Sequence, residues 1–390
     1  MFNLVVDRTV DNQPYPTLQA YPRRDSSVPW AQTYPYTQDI DLVDYCREHG
    51  VECRIYTVAD YPEDSYYAIH LAFFDFTIDY IALLPSTVLT DLKAQRLRIL
   101  FYYHEGDDPA KIKVRLDALC TQHELTTNVY RFVSGNTAAD RLTNFIYFAD
   151  HELLYYNRNR NDKKIFKTNG SPMRMFTCLS RTHQWWRATA LADLNSRFLL
   201  DNSYWSYNPT ITVGNTIEDC PIEIDCLYLR ADLMSFVRNG PYRADELTAD
   251  QHNDHSITYM PHYTNSYCNI VFETLFDADG SGGAFLSEKT FKPIKHAQPF
   301  VVVGCAGTLQ VLRDLGYRVF DGIIDNSYDL IQDNTQRWSR LVHAIERIKY
   351  SGNMDLWRER CQADVEHNQA LFLRSKADRL NMLSRKLLND

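Results

Sequence analysis

The chain has 390 residues, of which 45% are hydrophobic and 23% are charged, and its formal net charge is −9. This length and composition are typical of a globular protein with two or three domains, each large enough to bury its own core. The acidic balance gives no overall field that would attract nucleic acid, and no stretch approaches the ~20 consecutive apolar residues of a membrane helix. Binding of nucleic acid through overall charge and a membrane-spanning fold are therefore excluded.

The nine cysteines are scattered, and no two of them form a C-x-x-C pair. Cys120, Cys178 and Cys268 stand in apolar runs, where a free cysteine behaves as a small buried hydrophobe. The first residues lack the basic region and long apolar segment of a secretory signal peptide. We therefore expect a protein of a reducing compartment, the cytoplasm, with no membrane-spanning segment.

The first half of the chain alternates short apolar runs with amphipathic patterns of helical period. The predicted strands are Asn3–Val6, Val51–Thr57, Tyr66–Leu71, Arg98–Tyr103 and Asn128–Val133. The predicted helices span about Asp39–His49, begin near Ser86, and span about Ala110–His123. Strands that alternate with helices indicate βαβ units and a parallel sheet.

A polar and charged segment, Asn157–Lys164, precedes a second series of the same kind, and we expect an interdomain linker there. The second series of predicted strands is Met173–Leu179, Asn269–Glu273, Phe300–Val303 and Tyr317–Phe320. The predicted helices are about Gln184–Asn195, one from Glu288, Gly307–Leu315, Ser327–Lys349, and a helical stretch from Met354 to Leu388. The sequence thus predicts an N-terminal α/β domain over 1–165, a second α/β domain over 166–350, and a helical C-terminal segment over 351–390.

The second half also contains an ordered series of motifs that carry charged residues. They are Met173–Arg181 with Trp186-Arg187, Asn269–Thr274, Phe285–Pro293, Leu312–Phe320 and Asp325–Asp329. This series resembles the donor domain of GT-B-type glycosyltransferases, especially the fucosyltransferase-like enzymes and related viral and bacterial enzymes. The segment Phe-Leu-Ser-Glu-Lys-Thr-Phe-Lys-Pro at 285–293 is similar to the glutamate–lysine signature of that family.

The resemblance implies an α/β fold of two Rossmann-like domains that face each other across a cleft, the GT-B architecture. It implies that the second domain binds a nucleotide-sugar donor, and that the sugar moves to an acceptor hydroxyl with inversion and without a metal or other cofactor. We expect the first domain to hold the acceptor, which can be a glycan, a small molecule or a modified DNA base, and the C-terminal helix to cross back to that domain.

The residues expected to bind the donor lie at predicted strand ends and helix starts, where ligands bind in open α/β folds. Arginine offers a planar fork and lysine a mobile point charge for the oxygens of a diphosphate leaving group, and an acidic residue can bind ribose hydroxyls. We predict as donor-binding residues Arg181, Arg187, Glu273, Glu288, Lys289 and Thr290. The alternative is that the arginines are surface charges and that Glu288-Lys289 caps a helix.

A sugar transfer of this kind also needs a base that takes the proton of the acceptor hydroxyl. The segment His104-Glu-Gly-Asp-Asp108 follows the most apolar predicted strand of the first half. Glu105 is the first candidate for the base, followed by His104 and Asp107. The alternative is that the aspartates before Pro109 cap the next helix, which explains Asp107 or Asp108 and leaves His104-Glu105 unexplained.

Two further patterns suggest metal binding less strongly. The segment Asp277–Glu288 has acidic residues and glycine at the spacing of a calcium loop, but no second loop accompanies it, and Glu288 also belongs to the glutamate–lysine signature. His252, His255 and His262 cluster in a polar segment without a helix that would fix zinc geometry. We therefore predict no metal site.

Two alternative functions stay open at this point. The acceptor can be a hydroxylated DNA base, for which the basic residues around Asn157–Lys164 would supply local contacts. The chain can also be a non-catalytic calcium- or glycan-binding protein.

Overall fold

The computed structural model describes residues 1–6, 9–10, 13–14, 41–71, 73–159, 170–180, 182–209, 216–223, 227–244, 258–277 and 283–389. The chain divides into two compact units. Unit 1 comprises Met1–Asn157 and Ser375–Asp390, and unit 2 comprises Arg158–Arg374. Among the described helices, none is long and apolar enough to cross a membrane.

Both units contain helices, and the described helices are numbered here in chain order. They are α1 (Asp41–His49), α2 (Ser86–Lys93), α3 (Pro109–Gln122), α4 (Asp150–Asn159), α5 (Trp185–Ser196), α6 (Leu227–Asn239), α7 (Met260–Thr264), α8 (Glu288–Lys295), α9 (Thr308–Asp314), α10 (Asn334–Lys349), α11 (Met354–Phe372) and α12 (Ala377–Asn389). The C-terminal stretch, predicted as one segment from 351, divides between the units, with α11 in unit 2 and α12 in unit 1.

Unit 1 is built on a six-stranded sheet whose neighbouring strands are all parallel. The strands of unit 1 are β1 (Phe2–Val6), β2 (Thr9–Val10), β3 (Gln13–Pro14), β4 (Cys53–Thr57), β5 (Tyr66–Leu71), β6 (Arg98–Tyr103), β7 (Tyr130–Ser134) and β8 (Phe145–Tyr147). The order across the sheet is β4-β1-β5-β6-β7-β8, and β2 and β3 form a separate antiparallel pair.

Helices cover both faces of this sheet, because successive strand residues point to opposite sides. On one face, Ile69 and Phe101 pack in a core that includes residues of α2 and α3. On the other face, Ala68 and Leu100 pack in a core that includes residues of α1, α4 and α12. Unit 1 is therefore a doubly wound α/β unit.

Unit 2 contains a smaller sheet of the same type. Its strands are β9 (Arg174–Ser180), β10 (Tyr204–Tyr207), β11 (Ser266–Phe272) and β12 (Phe300–Val303). The order is β10-β9-β11-β12, and all three neighbouring pairs are parallel. The predicted α/β class with parallel, Rossmann-like sheets is confirmed in both units.

Several sequence predictions hold closely. The strands predicted at Tyr66–Leu71, Arg98–Tyr103 and Phe300–Val303 have the predicted bounds. The thiols of Cys120, Cys178 and Cys268, placed in apolar runs by the sequence, are buried. Continuous apolar runs of this kind are typical of parallel strands that are covered on both faces.

The strand predicted at Tyr317–Phe320 is wrong. The segment is apolar and mostly buried, but its backbone pairs with a side chain instead of a strand. Asn368 of α11 accepts a hydrogen bond from the Arg318 N–H at 2.7 Å and donates one to the Arg318 carbonyl oxygen at 2.8 Å. Phe320 then adopts a positive φ of 63°, which ends any extended run.

The single helix predicted at Ser327–Lys349 is also wrong, whereas the helical stretch predicted from Met354 to Leu388 is confirmed as two helices, α11 and α12. A short 3₁₀ helix, Ser327–Leu330, is followed by a break, and α10 begins after Asp333, whose carboxylate accepts a hydrogen bond from the Gln336 N–H at 2.8 Å. A second break separates α11 from α12. Asp333 is an N-cap, and such a residue starts a new helix where the helical period alone suggests continuation.

Candidate functional site

In both units the sheet grows in two opposite directions from its first strand. In unit 1, β1 lies between β4 and β5, and in unit 2, β9 lies between β10 and β11. Ligands of open parallel α/β sheets bind outside the carboxyl ends of the strands beside such a first strand. The residues that follow β5, β6, β9 and β11 are therefore the first places to examine for chemistry.

In unit 2, Glu273 follows β11 and organises the start of α8. Its carboxylate, which is fully buried, accepts hydrogen bonds from the Ser287 hydroxyl at 2.6 Å and from the Ser287 N–H at 3.2 and 3.3 Å. It also accepts bonds from the Thr290 hydroxyl and, at 3.1 Å, from the Thr274 N–H. A carboxylate near a helix N-terminus is stabilised by the helix dipole. The Glu273 carboxylate and the Thr290 hydroxyl are thus used within the fold to position the first turn of α8.

Lys289 lies in that first turn and carries its charge at the carboxyl end of β11. Its Nζ lies 3.2 Å from the hydroxyl oxygens of both Thr274 and Ser287, and 3.4 Å from Oε1 of Glu288. The side chain of Lys289 is 33% exposed, whereas that of Glu288 is 6% exposed. Lys289 is therefore the member of the predicted donor set best placed to contact a bound molecule.

Arg187, in α5, approaches Glu273 from the side of β9. Its guanidinium is buried and donates hydrogen bonds to the Glu273 carbonyl oxygen at 2.5 Å and to the Thr182 hydroxyl at 2.6 Å. Its Nε makes no hydrogen bond within the described residues. Burial lowers the pKa of Arg187 to about 10, against the opposing charges of Glu273 and Glu288. The guanidinium stays charged at neutral pH.

The structure thus brings together five of the six predicted donor residues. They are Arg187, Glu273, Glu288, Lys289 and Thr290. The sixth, Arg181, lies outside the described residues. Sequence reasoning missed Thr274 and Ser287, whose hydroxyls contact the Lys289 ammonium. Ser287 stands directly before the Glu-Lys pair, and a serine at that place is an N-cap signal that could have indicated its role at the start of α8.

In unit 1, the segment after β6 carries the predicted base. Its backbone is fixed from the neighbouring loop, because the Gly135 N–H donates to the Glu105 carbonyl oxygen at 3.2 Å and the Asn136 amide donates to the Gly106 carbonyl oxygen at 2.9 Å. The Glu105 side chain is 38% exposed, and its Oε1 lies 3.5 Å from Nε2 of His104. Glu105 is therefore both anchored and accessible.

The two aspartates of the same segment have local partners. Asp108 is the N-cap of α3 and accepts a hydrogen bond from the Ala110 N–H at 2.9 Å, with Pro109 as the first helical residue. Asp107 accepts a hydrogen bond from the Tyr103 hydroxyl. The capping alternative therefore applies to Asp108. The Asp107 carboxylate is instead held by Tyr103, the last residue of β6.

His104 belongs to a larger cluster that sequence reasoning missed. Its Nδ1 lies 3.3 Å from Nε2 of His70, near the end of β5, and its ring lies edge-to-face with that of His151, in α4, at a centroid distance of 5.5 Å. Asp150 begins α4 and accepts a hydrogen bond from the Tyr102 hydroxyl. The sequence analysis predicts no helix over Asp150–Asn159 and therefore gives no signal for Asp150 and His151, whose proximity to His104 depends on the order of the strands.

Burial and charge shift the pKa values of two members of this cluster upward. Burial lowers the pKa of His104, but the hydrogen bond and charge of Glu105, with the charges of Asp150 and Asp41, outweigh burial and raise the pKa to about 9. Burial raises the pKa of Asp150 to about 6, although His104 and the Tyr102 hydroxyl act in the opposite direction. Strongly shifted pKa values of neighbouring groups occur at functional sites as well as in structural ion-pair networks.

The patterns set aside in the sequence fall mostly elsewhere. The calcium-like segment includes 278–282, and the histidine segment includes His252 and His255; both stretches lie outside the described residues, as does most of the basic segment after Asn157. His262 is described: it is fully buried, and its Nε2 lies 3.2 Å from the Ala244 carbonyl oxygen.

A cavity of about 540 Å³ in unit 1 lies beside the segment between β4 and β5 and the segment that leads into β6. It is lined by residues that include Tyr61, Asp91 and Arg96, and by Arg98 at the start of β6. These side chains are joined by a hydrogen bond of 2.5 Å from the Tyr61 hydroxyl to Asp91 and by an ion pair between Asp91 and Arg96. Because parallel sheets bind ligands at their carboxyl ends, we assign no site to this cavity.

Comparison of the chain with protein-family models, with curated proteins and with solved structures finds no match.

Proposed function

We propose that the protein is a glycosyltransferase that moves a sugar from a nucleotide-sugar donor to an acceptor hydroxyl, with the donor diphosphate bound by unit 2. The observation that carries the proposal is the relation of Glu273 to two cations. Its carbonyl oxygen accepts from Arg187, and its carboxylate positions Ser287, beside which Lys289 Nζ lies at 3.2 Å. Both cations therefore converge on the carboxyl end of β11, where a diphosphate would meet them.

The charges suit a leaving diphosphate. As the bond between the sugar and the donor phosphate breaks, negative charge grows on the phosphate oxygens, and a fixed cation stabilises that charge. Lys289 supplies a mobile point charge that is partly exposed. Arg187 supplies a buried charge with one N–H that has no acceptor among the described residues. Glu288, beside Lys289, is the remaining candidate for the ribose hydroxyls, since the carboxylate of Glu273 is occupied.

The proposal assigns the acceptor and the base to unit 1. In the transfer, the acceptor oxygen bonds to the anomeric carbon of the sugar, the bond from that carbon to the phosphate oxygen breaks, and the base takes the hydroxyl proton. Glu105 is the proposed base because its carboxylate is accessible and its backbone is anchored. Inversion at the sugar carbon, absence of a metal from the transfer and the GT-B arrangement belong to the proposal through the resemblance.

The test is direct binding of nucleotides to the full chain. We expect a thermal-shift screen against UDP, GDP, CMP and their sugars to give a raised melting temperature for one nucleotide family. Titration calorimetry should then show a dissociation constant that rises at least about tenfold in Lys289→Met, the loss of roughly 1.4 kcal/mol. Lys292→Met, which removes a lysine farther along the same helix, is the matched control and should bind as the unaltered chain does.

Two results would overturn the proposal. One is the lack of any response to the nucleotide sugars. The other is an equal dissociation constant in Lys289→Met and Lys292→Met, which would show that binding does not involve the start of α8.

A further inference from the structure

Three side chains with metal-ligand chemistry converge in unit 1. They are His104 and Glu105, which follow β6, and His151, the second residue of α4. One ring nitrogen of each histidine and one carboxylate oxygen of Glu105 all lie within 4.8 Å of one another. Nε2 of His104 lies 3.5 Å from Oε1 of Glu105. Ligands bonded to a tetrahedral zinc ion at about 2.0–2.2 Å are separated by roughly 3.4 Å, which is close to the spacing of His104 and Glu105.

The orientation of His104 fits a ligand. Its Nδ1 faces Nε2 of His70 at 3.3 Å, so one of these two nitrogens donates to the other. That contact leaves Nε2 of His104 directed toward Glu105. Metal-binding histidines commonly engage their second ring nitrogen in a hydrogen bond that fixes the ring and its tautomer. His70 occupies that position here.

The surroundings of the three side chains favour a cation. The negative charges of Glu105, Asp150 and Asp41 all act on the His104 imidazole. Asp150 is itself held by the Tyr102 hydroxyl. The Glu105 backbone is anchored by Gly135, so the segment that supplies two of the three ligands has a fixed course. A site with net negative charge and two imidazoles suits a divalent transition metal better than an anion.

We propose that His104, Glu105 and His151 form a binding site for a divalent metal ion of the zinc class, with one coordination position left for water or a ligand. Two imidazole nitrogens and one carboxylate oxygen are a preferred ligand set for zinc, and three protein ligands with an open position distinguish reactive sites from closed structural ones. The site lies wholly within unit 1 and does not depend on the proposed sugar transfer.

The experiment uses the untagged chain of 390 residues. After treatment with a chelator and removal of the chelator, the protein is titrated with Zn²⁺ by calorimetry, and bound metal is counted by mass spectrometry after gel filtration. We expect one zinc ion per chain. Cobalt(II) loading should give the intense visible absorption of a tetrahedral site, and Mn²⁺ and Mg²⁺ should bind at least about tenfold more weakly than Zn²⁺.

The variants locate the ion. Glu105→Gln changes a side chain that is partly exposed, so the fold should be kept, and His151→Gln removes the ligand supplied by α4. Each should raise the zinc dissociation constant at least about tenfold, since even indirect partners of a metal cost that much. His123→Gln is the matched control, because Nε2 of His123 lies 2.8 Å from Asp79 in a histidine–carboxylate pair that has no third ligand among the described residues.

The proposal is overturned if the unaltered chain retains no zinc, or if Glu105→Gln and His151→Gln both bind zinc as tightly as His123→Gln does. The second result would place the ion on other residues. Circular dichroism of each variant separates loss of the site from loss of the fold. None of these measurements uses sugar transfer, so failure of the proposed transferase activity leaves them unaffected.

Discussion

The hydroxyl of Ser287 donates a hydrogen bond of 2.6 Å to the carboxylate of Glu273, a residue 14 positions earlier in the chain. This contact joins the end of β11 to the N-cap of α8. It explains why a fully buried carboxylate is tolerated there, since each of its oxygens accepts hydrogen bonds from the start of the helix or its approach. The same contact determines where Lys289 carries its charge.

The first prediction concerns this buried carboxylate. Glu273→Gln removes the negative charge and replaces one of the two carboxylate oxygens by an amide nitrogen. The hydroxyls of Ser287 and Thr290 donate to different oxygens, so one hydrogen bond weakens and the other loses its acceptor. We expect the variant to lose about 2 kcal/mol of unfolding free energy. The measurement is the urea midpoint of the transition reported by the tryptophans, most of which lie in unit 2.

Glu359→Gln is the control, because Glu359 is an exposed residue of α11 in the same unit. It should change the unfolding free energy by less than about 0.5 kcal/mol. Equal midpoints for the two variants would mean that the Glu273 carboxylate does not support the start of α8.

The second prediction concerns acid stability of unit 1. The pKa of Asp91 is lowered, first by the hydrogen bond from the Tyr61 hydroxyl and then by Arg96, against the effect of burial. The unfolded chain therefore binds a proton at Asp91 at a higher pH than the folded chain does. The stability that Asp91 contributes is present above its ordinary pKa of about 3.9 and is lost as the pH falls through the lower folded value.

Asp91→Asn removes that titration. We expect it to cost about 1 kcal/mol at pH 7, because a hydrogen bond to a charged acceptor and a partly exposed ion pair are lost. Between pH 5 and pH 2.5, measured by urea unfolding at each pH, the variant should lose less stability than the unaltered chain. Parallel pH curves for the two proteins would contradict the assignment.

The α/β class could be predicted from the sequence because parallel strands buried on both faces read as apolar runs, such as Arg98–Tyr103 and Phe300–Val303. The strand predicted at Tyr317–Phe320 failed because an apolar, buried segment satisfied its backbone with the Asn368 side chain. A pattern of hydrophobicity reports burial, and it does not report which partner supplies the hydrogen bonds.

For the candidate sites too, local sequence signals predicted some features, whereas contacts between distant parts of the chain were not predicted. The start of α8 could be predicted because Ser287, Glu288 and Lys289 are consecutive and carry a local capping signal. The cluster in unit 1 could be predicted only in part. His104 and Glu105 follow β6, and His151 lies near them because β8 runs parallel to β6 in the same sheet, so the start of α4 lies at the same carboxyl end. That proximity is a property of strand order, which a single sequence does not contain.

The third prediction tests the part of Asn368. Asn368→Ala removes the acceptor for the Arg318 N–H and the donor for its carbonyl oxygen. We expect about 1 kcal/mol of lost stability, since two partly buried backbone groups then lose their partner. Hydrogen exchange should locate the effect, with the Arg318 amide exchanging at least about tenfold faster. Gln362→Ala, at an exposed position of the same helix, should leave that amide unchanged.

The fourth prediction sets the two proposals against each other, because both use the carboxylate of Glu105. Zinc bound through Oε1 of Glu105 and Nε2 of His104 occupies the lone pairs that would take a proton from the acceptor. If Glu105 is the base, we expect Zn²⁺ to lower the rate of sugar transfer and a chelator to restore it. Glu105→Gln should lower the rate about 10²–10⁴-fold both with and without Zn²⁺.

The measurement is the initial rate of transfer at saturating nucleotide sugar, with and without Zn²⁺. The control is His123→Gln, whose rates should respond to Zn²⁺ as those of the unaltered chain do. A rate that falls on chelation and recovers with Zn²⁺ would contradict the base role of Glu105, since the ion would then assist the reaction it was expected to block.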